Sequence, residues 1–326
     1  MLPIDINNIF SVNESSFDDL CNTVFQFQYQ YNPIYRKWVD LIDTSPSERK
    51  IPQKIPALPI SFFKEQRVVT GNSQEQKIFE SSGTTGVVTS RHYVADIAIY
   101  EQSFIQGFER QYGSIQNWCV LALLPAYLER ENSSLVYMAN KMIAMSGHSE
   151  SGFYLYNYTE LANKLAELEL QGQPVLLLGV TFALLDFSAT FPLHLKHTVV
   201  METGGMKGRG RELTRPELHE TLISRFKLNH IHAEYGMTEL LSQAYSKGNG
   251  RYYCPPWMKV YIRKEDDPFE LLTEGTGLIQ IIDLANIYSC SFIATQDIGK
   301  LYADGSFEVL GRMDHADIRG CSLLVV

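Results

Sequence analysis

The stretch Phe79 to His92, FESSGTTGVVTSRH, is richer in ligand-binding groups than a connector needs. Gly83 and Gly86 let the backbone turn tightly and approach a ligand with no side chain between. Ser81, Ser82, Thr84 and Thr85 supply four hydroxyls that can donate to an anion. Peptide N–H groups of such a loop add further donors, so the run suits a polyphosphate. Ser/Gly clusters also serve as plain surface turns, so the phosphate reading requires partners elsewhere in the chain. A P-loop is excluded, because that class needs Gly-Lys-Ser/Thr after its turn, and here Val87 and Val88 follow Gly86.

Partners are present downstream. In Tyr235-Gly236-Met237-Thr238-Glu239, the tyrosine can stack a base and the glycine admits close backbone approach. The Thr238 hydroxyl can bond a phosphate oxygen, and the Glu239 carboxylate can hold Mg²⁺ beside the phosphates. Read alone, this segment could simply open a helix capped by Thr238. Asp297, in ATQDIGKLYADG, is an acceptor-only carboxylate suited to a diol, although a lone aspartate there also fits a turn. Other candidates carry less. His230 and His232 share a strand face without a third metal ligand. Gly147-x-Ser149 lacks the second glycine of a nucleophile elbow, since Ser151 stands in its place.

The elements that must position these groups alternate. An aromatic-rich helix is expected over Phe17 to Ile42, its stripe forming core. Prolines at 46, 52, 56 and 59 make Thr44 to Ile60 an extended connector. Helices follow over Val94–Tyr112 (ended by Gly113), Ser133–Met145, Leu161–Glu169, from Phe182, and over Arg215–Phe226, the last with a Thr214/Glu217 capping box. Strands are expected over Trp118–Leu124, Pro174–Val180, His197–Met201 and Ile231–Glu234, which places Tyr235 at a strand-to-helix turn. This α/β alternation implies a largely parallel sheet covered on both faces, with ligand loops beyond the carboxyl ends of its strands. After Gly250 the pattern changes to short strands at Lys259–Arg263, Phe269–Leu272, Leu278–Asp283, Ser291–Thr295, Gly299–Tyr302 and Phe307–Leu310. Glu274-Gly275 and Asp304-Gly305 mark turns there. Residues 1–250 therefore read as an α/β core and 251–326 as a β-rich subdomain with a tail.

Composition narrows the function classes. Of 326 residues, 45% are hydrophobic and 20% charged, ordinary for a globular chain with a substantial core. A formal net charge of −9 disfavours nucleic acid or an anionic membrane surface as partner. Five scattered cysteines without a C-x-x-C pair fit a reducing compartment rather than a disulfide framework. No signal peptide is evident, and the longest apolar run, Val175 to Leu185, is too short to span a bilayer. A cytoplasmic protein is expected.

The loop at Ser81–Gly86, YGMTE at 235–239, Asp297 and Gly311-Arg312-Met313-Asp314 occur in the order found in the AMP-forming ligases, the superfamily of acyl-CoA synthetases, luciferases and adenylation domains. Within it, LLPAYLERENSSLVYM (123–138), ETGGMKGRGREL (202–213) and DIRGCSL (317–323) resemble the LuxE-like acyl-protein synthetases. The resemblance covers roughly residues 55 to 326. It implies the large N-terminal ligase domain without the mobile C-terminal one, and an enzyme that uses ATP and Mg²⁺ to convert a fatty acid to its acyl-adenylate.

By that resemblance, Tyr235 packs on adenine, with Gly204, Gly205 and Met206 forming the facing wall beside Gly236. Thr238 meets the α-phosphate, Glu239 binds Mg²⁺, Asp297 and Arg312 hold the ribose, and Asp314 is the hinge. The superfamily usually has Pro-Lys after the loop's last glycine, whereas Val88-Thr89 stands here. Its catalytic lysine belongs to the absent domain. One of Arg91, Lys207 or Arg209 can supply a compensating cation, or a partner subunit completes the site. Cys321 corresponds to the family's acyl-accepting cysteine, a thiolate being the right nucleophile for an acyl-adenylate. It could equally be a small buried residue beside Leu323. Other acceptors are CoA, a carrier or a reductase partner. Two alternatives stand: a phenylacetate-CoA-ligase-like enzyme, which also places threonine at the position of Thr89, and a non-catalytic nucleotide- or acyl-adenylate-binding subunit.

Overall fold

The computed structural model describes residues 4–42, 51–81, 89–125, 132–204, 213–264 and 269–313. Its first part holds α1 (Ile6–Phe10), α2 (Phe17–Tyr31), α3 (Pro33–Leu41), β1 (Leu58–Pro59) and α4 (Phe62–Glu65). The strands β2 (Lys77–Glu80) and β3 (Arg91–Val94) pair antiparallel and bracket the Ser/Gly/Thr loop. Alternation then runs through α5 (Ile97–Tyr112), β4 (Cys119–Leu123), α6 (Ser134–Ser146), β5 (Gly152–Tyr154), α7 (Tyr158–Gln171), β6 (Val175–Val180), α8 (Thr181–Thr190), β7 (Thr198–Thr203), α9 (Arg215–Phe226) and β8 (His232–Tyr235). The remainder is β9 (Ala244–Ser246), β10 (Met258–Arg263), β11 (Leu271–Leu272), β12 (Gly275–Asp283), β13 (Phe292–Leu301) and β14 (Phe307–Arg312).

One sheet has the order β5-β4-β6-β7-β8-β9, parallel throughout except for β9. Every residue of β4 and β6 is buried, as expected of parallel strands covered on both faces. This is why CVLAL and VLLLGV read as unbroken apolar runs. The second sheet has the order β1-β13-β12-β10-β11, with β14 on β13. It is antiparallel apart from β1, whose Leu58 lies beside Ile293 in parallel register. The capping box of α9 forms as expected, with Thr214 and Glu217 exchanging bonds. The chain thus has a mixed α/β architecture, with a mostly parallel sheet and a mostly antiparallel one.

Four expectations about elements are corrected. The predicted Phe17–Ile42 helix is two helices, because Asn32 precedes Pro33 and adopts an extended conformation; its side chain accepts from the Tyr35 N–H and caps α3. The helix predicted from Val94 begins at Ile97, since Asp96 caps it and Val94 pairs with Lys77. No helix follows Glu239. The chain turns and returns as β9, antiparallel to β8, and the Asp283 carboxylate accepts the Leu241 and Ser242 N–H groups at 2.9 Å. Finally, Ser291–Thr295 and Gly299–Tyr302 belong to one strand, β13, with a register shift at Gly299. A Cβ on Gly299 would come within 2.6 Å of the Glu308 carbonyl and 2.5 Å of Ile279, so only glycine permits that approach.

Candidate functional site

The carboxyl ends of β7 and β8 lie side by side, Thr203 opposite Glu234, which brings Gly204 next to Tyr235. Gly204 has φ +72°, a left-handed conformation that glycine adopts without strain. Its carbonyl accepts the Thr181 hydroxyl. Tyr235 is buried, its ring edge-on to Phe307 at 5.4 Å. Its hydroxyl donates to Asp297 Oδ2 at 2.8 Å, and Arg312 Nε stands 3.9 Å from Oδ1. Burial pushes the Asp297 carboxyl above its ordinary range, while the Tyr235 bond and the Arg312 charge pull it back. Thus β8, β13 and β14 place three of the expected nucleotide contacts together.

The loop-bearing hairpin reaches the same place from another direction. Ser81 and Ser90 close its neck: Ser81 N–H donates to the Ser90 carbonyl at 3.0 Å, and Ser90 N–H to Ser81 Oγ at 2.9 Å. Burial raises the pKa of the Glu239 carboxyl, and the neighbouring Ser90 side chain pulls it back. Two residues on, His92 Nδ1 lies 2.8 Å from the Thr238 carbonyl and Nε2 lies 2.9 Å from Ser289 Oγ. The imidazole is fully buried, and desolvation holds its pKa down at about 4. Asn286 Nδ2 donates to the Glu239 carbonyl at 2.8 Å. His92 and Asn286 therefore hold the Thr238 and Glu239 carbonyls, and Asp283 holds the Leu241 and Ser242 N–H groups just beyond them.

Behind Gly236 sits a buried carboxyl. Glu234 accepts the Thr203 hydroxyl, and burial raises its pKa from 4.5 to about 7. A Cβ on Gly236 would lie 2.4 Å from Glu234 Oε1 and 3.3 Å from Gln243 Cγ. Glycine at this position lets the backbone pass over that carboxyl, a steric reason separate from ligand approach.

Of the residues singled out from sequence, Ser81, Gly204, Tyr235, Gly236, Thr238, Glu239, Asp297 and Arg312 fall within this region. Arg91 is half-exposed and pairs with Glu80 at 3.2 Å, on the strand face opposite Ser90 and His92. Ser82, Gly83, Thr84, Thr85, Gly86, Gly205, Met206, Lys207, Arg209, Asp314 and Cys321 lie outside the described residues. Ser90, His92, Asp283 and Asn286 were not anticipated. The only available signal was the i, i+2 spacing of Ser90 and His92, which puts both on one strand face.

Among the described residues no three His, Cys, Asp or Glu side chains are grouped to hold a metal alone. A Mg²⁺ ion asks less: one or two carboxylates together with substrate phosphates and water. Glu239, beside the hairpin neck, fits that requirement. A cavity of about 730 Å³ lies elsewhere, between α9 and β14, lined by Arg215, His219, Ile223, Ile231, Val309 and Leu310 among others. Gly311 borders it, but Tyr235, Thr238, Glu239, Asp297 and Arg312 do not, so convergent chemistry rather than volume marks the site.

A sequence model of LuxE, the acyl-protein synthetases, matches residues 13–326. The chain belongs to the LuxE acyl-protein synthetase family. No curated protein matches it. Similar solved structures share its fold. One is 2-hydroxyisobutyryl-CoA ligase with 2-HIB-AMP and CoA in the thioesterification state (TM-score 0.63, 11% identity, covering 93% of this chain and 68% of that one). Another is apo MatB from Rhodopseudomonas palustris (TM-score 0.53, 14% identity, 72% and 47%). An ATP-bound RpMatB-BxBclM chimera aligns at TM-score 0.56 with 14% identity and the same coverages, 72% and 47%. This LuxE-family chain thus spans about half the length of the MatB structures. Among its described residues, no helix is long and apolar enough to cross a membrane.

Proposed function

We propose that this LuxE-family chain activates a carboxylic acid with ATP, forming an acyl-adenylate and pyrophosphate, and passes the acyl group to a thiol. The observation that carries the reading is the Tyr235–Asp297–Arg312 cluster set beside Thr238 and Glu239, with the phosphate-loop hairpin bonded to the Thr238 carbonyl through His92. Similar folds solved with ATP, and with 2-HIB-AMP and CoA, support it.

Adenine would pack on the Tyr235 ring, facing Gly204, Gly205 and Met206. Asp297 Oδ2 is already held by the Tyr235 hydroxyl, which leaves Oδ1 to accept from the ribose diol, with Arg312 alongside. Thr238 and the loop donors of residues 81–86 would bind the phosphate oxygens, where charge builds as the reaction proceeds. In the first step a substrate carboxylate oxygen bonds to the α-phosphorus, and the bond to the bridging oxygen breaks with departure of pyrophosphate. Mg²⁺ held at Glu239 and the phosphates would neutralise charge on the leaving group. In the second step a thiolate attacks the acyl carbonyl and AMP departs. Cys321 is the acceptor favoured within this chain; CoA or a partner protein, such as a reductase subunit, would act by the same chemistry. Arg91, Lys207 and Arg209 are the candidates for a cation that neutralises charge on the transferring group. A fatty acid is the substrate class that family membership favours.

The test is pyrophosphate release by the purified chain with ATP, Mg²⁺ and short, aromatic and long-chain carboxylic acids. Carboxylate-dependent release supports the enzyme. ATP binding without turnover, even with partner proteins added, would instead make this a nucleotide-binding subunit. A product that forms only with CoA would favour the phenylacetate-CoA-ligase-like reading.

A further inference from the structure

We propose that His92 is a positioning residue that locks the phosphate-loop hairpin to the Thr238–Glu239 backbone, an inference resting on the adenylation chemistry above. A carbonyl oxygen only accepts, so the Nδ1–H of His92 donates to Thr238 and Nε2 accepts from the Ser289 hydroxyl; the two contacts, 2.8 and 2.9 Å, fix the tautomer. Both ring nitrogens are thereby used. The imidazole has no atom left for substrate or for proton transfer, so its contribution lies in alignment.

The far side of the lock is itself anchored. The Ser289 carbonyl accepts from Thr70 Oγ1 and, at 2.8 Å, from Asn32 Nδ2, which ties it to the cap of α3. Asn286 and Asp283 grip the same stretch at the Glu239 carbonyl and at the Leu241 and Ser242 N–H groups. His92 alone among these three comes from the hairpin that carries the loop. Packing does not require an imidazole here: Phe63 meets the ring edge-on at 5.7 Å, a contact that phenylalanine would serve as well. The Thr238 carbonyl sets the plane of the 238–239 peptide, and hence the aim of the Thr238 hydroxyl and the Glu239 carboxylate. A shift of about 1 Å in such groups costs up to about 100-fold in rate.

The experiment compares His92→Phe, His92→Asn and Ser289→Ala by thermal denaturation, carboxylate-dependent pyrophosphate–ATP exchange, and hydrogen exchange of the 238–242 amides. Asparagine can place its Nδ2 donor where the histidine Nδ1 donates; phenylalanine cannot. His92→Phe should fold but melt below the wild type, because it leaves the buried Thr238 carbonyl unpaired; it should keep its KM for ATP within about 3-fold, since Tyr235 and Asp297 are untouched, and lose about 10- to 100-fold in kcat. His92→Asn should recover most of that loss despite its smaller volume, and Ser289→Ala should lose a few-fold. A merely structural histidine would behave oppositely, with asparagine worse than phenylalanine in both melting and rate. Unchanged kcat in His92→Phe, or no recovery in His92→Asn, overturns the lock. If His92→Phe does not fold, His92→Asn and Ser289→Ala decide by the same readouts. Should the wild type show no exchange with any acid, the proposed function fails, and amide protection then judges the lock alone. Loss of protection at 238–242 in His92→Phe but not in His92→Asn supports it; equal protection refutes it.

Discussion

Replacing Glu234 with glutamine should stabilise the protein strongly at pH 8 and much less at pH 5. The carboxyl is buried against Thr203, with Glu202 on the same neighbouring strand. Burial, helped by the Glu202 charge and opposed by the Thr203 bond, raises its pKa from 4.5 to about 7. The native state therefore keeps a proton that the unfolded chain releases above about pH 4.5. Between those values the native state binds more protons, so stability falls as pH rises. The full penalty is about 3 kcal/mol, of which about 2.5 kcal/mol develops between pH 5 and pH 8. Glutamine keeps the shape and can still accept from Thr203, but it cannot ionise. Urea denaturation of both proteins at pH 5, 6, 7 and 8 isolates the effect. Asp283, raised to about 6, and His92, lowered to about 4, titrate alike in both and cancel. The stability difference between variant and wild type should widen with pH and level off above 7. A difference that stays flat with pH would refute the assignment of a buried, protonated Glu234.

Other changes follow from single contacts. Tyr235→Phe removes the hydroxyl that Asp297 accepts and should cost about 1–3 kcal/mol in denaturant unfolding, with weaker ATP binding by calorimetry. Gly236→Ala forces a Cβ toward Glu234 Oε1 and should destabilise by about 1–3 kcal/mol; in a Glu234→Ala background the same change should cost clearly less. Arg215→Met strands the buried Glu202 carboxylate, now 3.3 Å from Arg215 Nε, and frees the Val309 carbonyl. A loss of about 3 kcal/mol is expected in urea titration.

What the sequence made legible, and what it hid, divides by distance along the chain. The parallel strands could be read because burial on both faces demands continuous apolar residues, as in VLLLGV. YGMTE and Asp297 stood out because base, phosphate and diol recognition each restrict the residue type locally. His92 did not stand out, because its meaning depends on a carbonyl 146 positions away. The helix expected after Glu239 failed for a related reason. The segment ELLSQAY is compatible with a helix, yet Asp283, 42 positions beyond Leu241, captures two of its N–H groups, and pairing with β8 draws Ala244–Ser246 into a strand. Long-range hydrogen bonds overrode the local preference in both places. The split of the first helix, by contrast, was readable in Asn32-Pro33, where the pre-proline restriction outweighs an aromatic periodicity.

A structure of the chain with ATP bound is the most direct measurement of the central claim, that one nucleotide is held jointly by β8, β13 and the hairpin. Adenine should lie against Tyr235, the ribose hydroxyls at Asp297, and the phosphates at the hairpin neck near Thr238 and Glu239. Nucleotide seated instead in the cleft between α9 and β14, with Tyr235 and Asp297 still bonded only to each other, would contradict it.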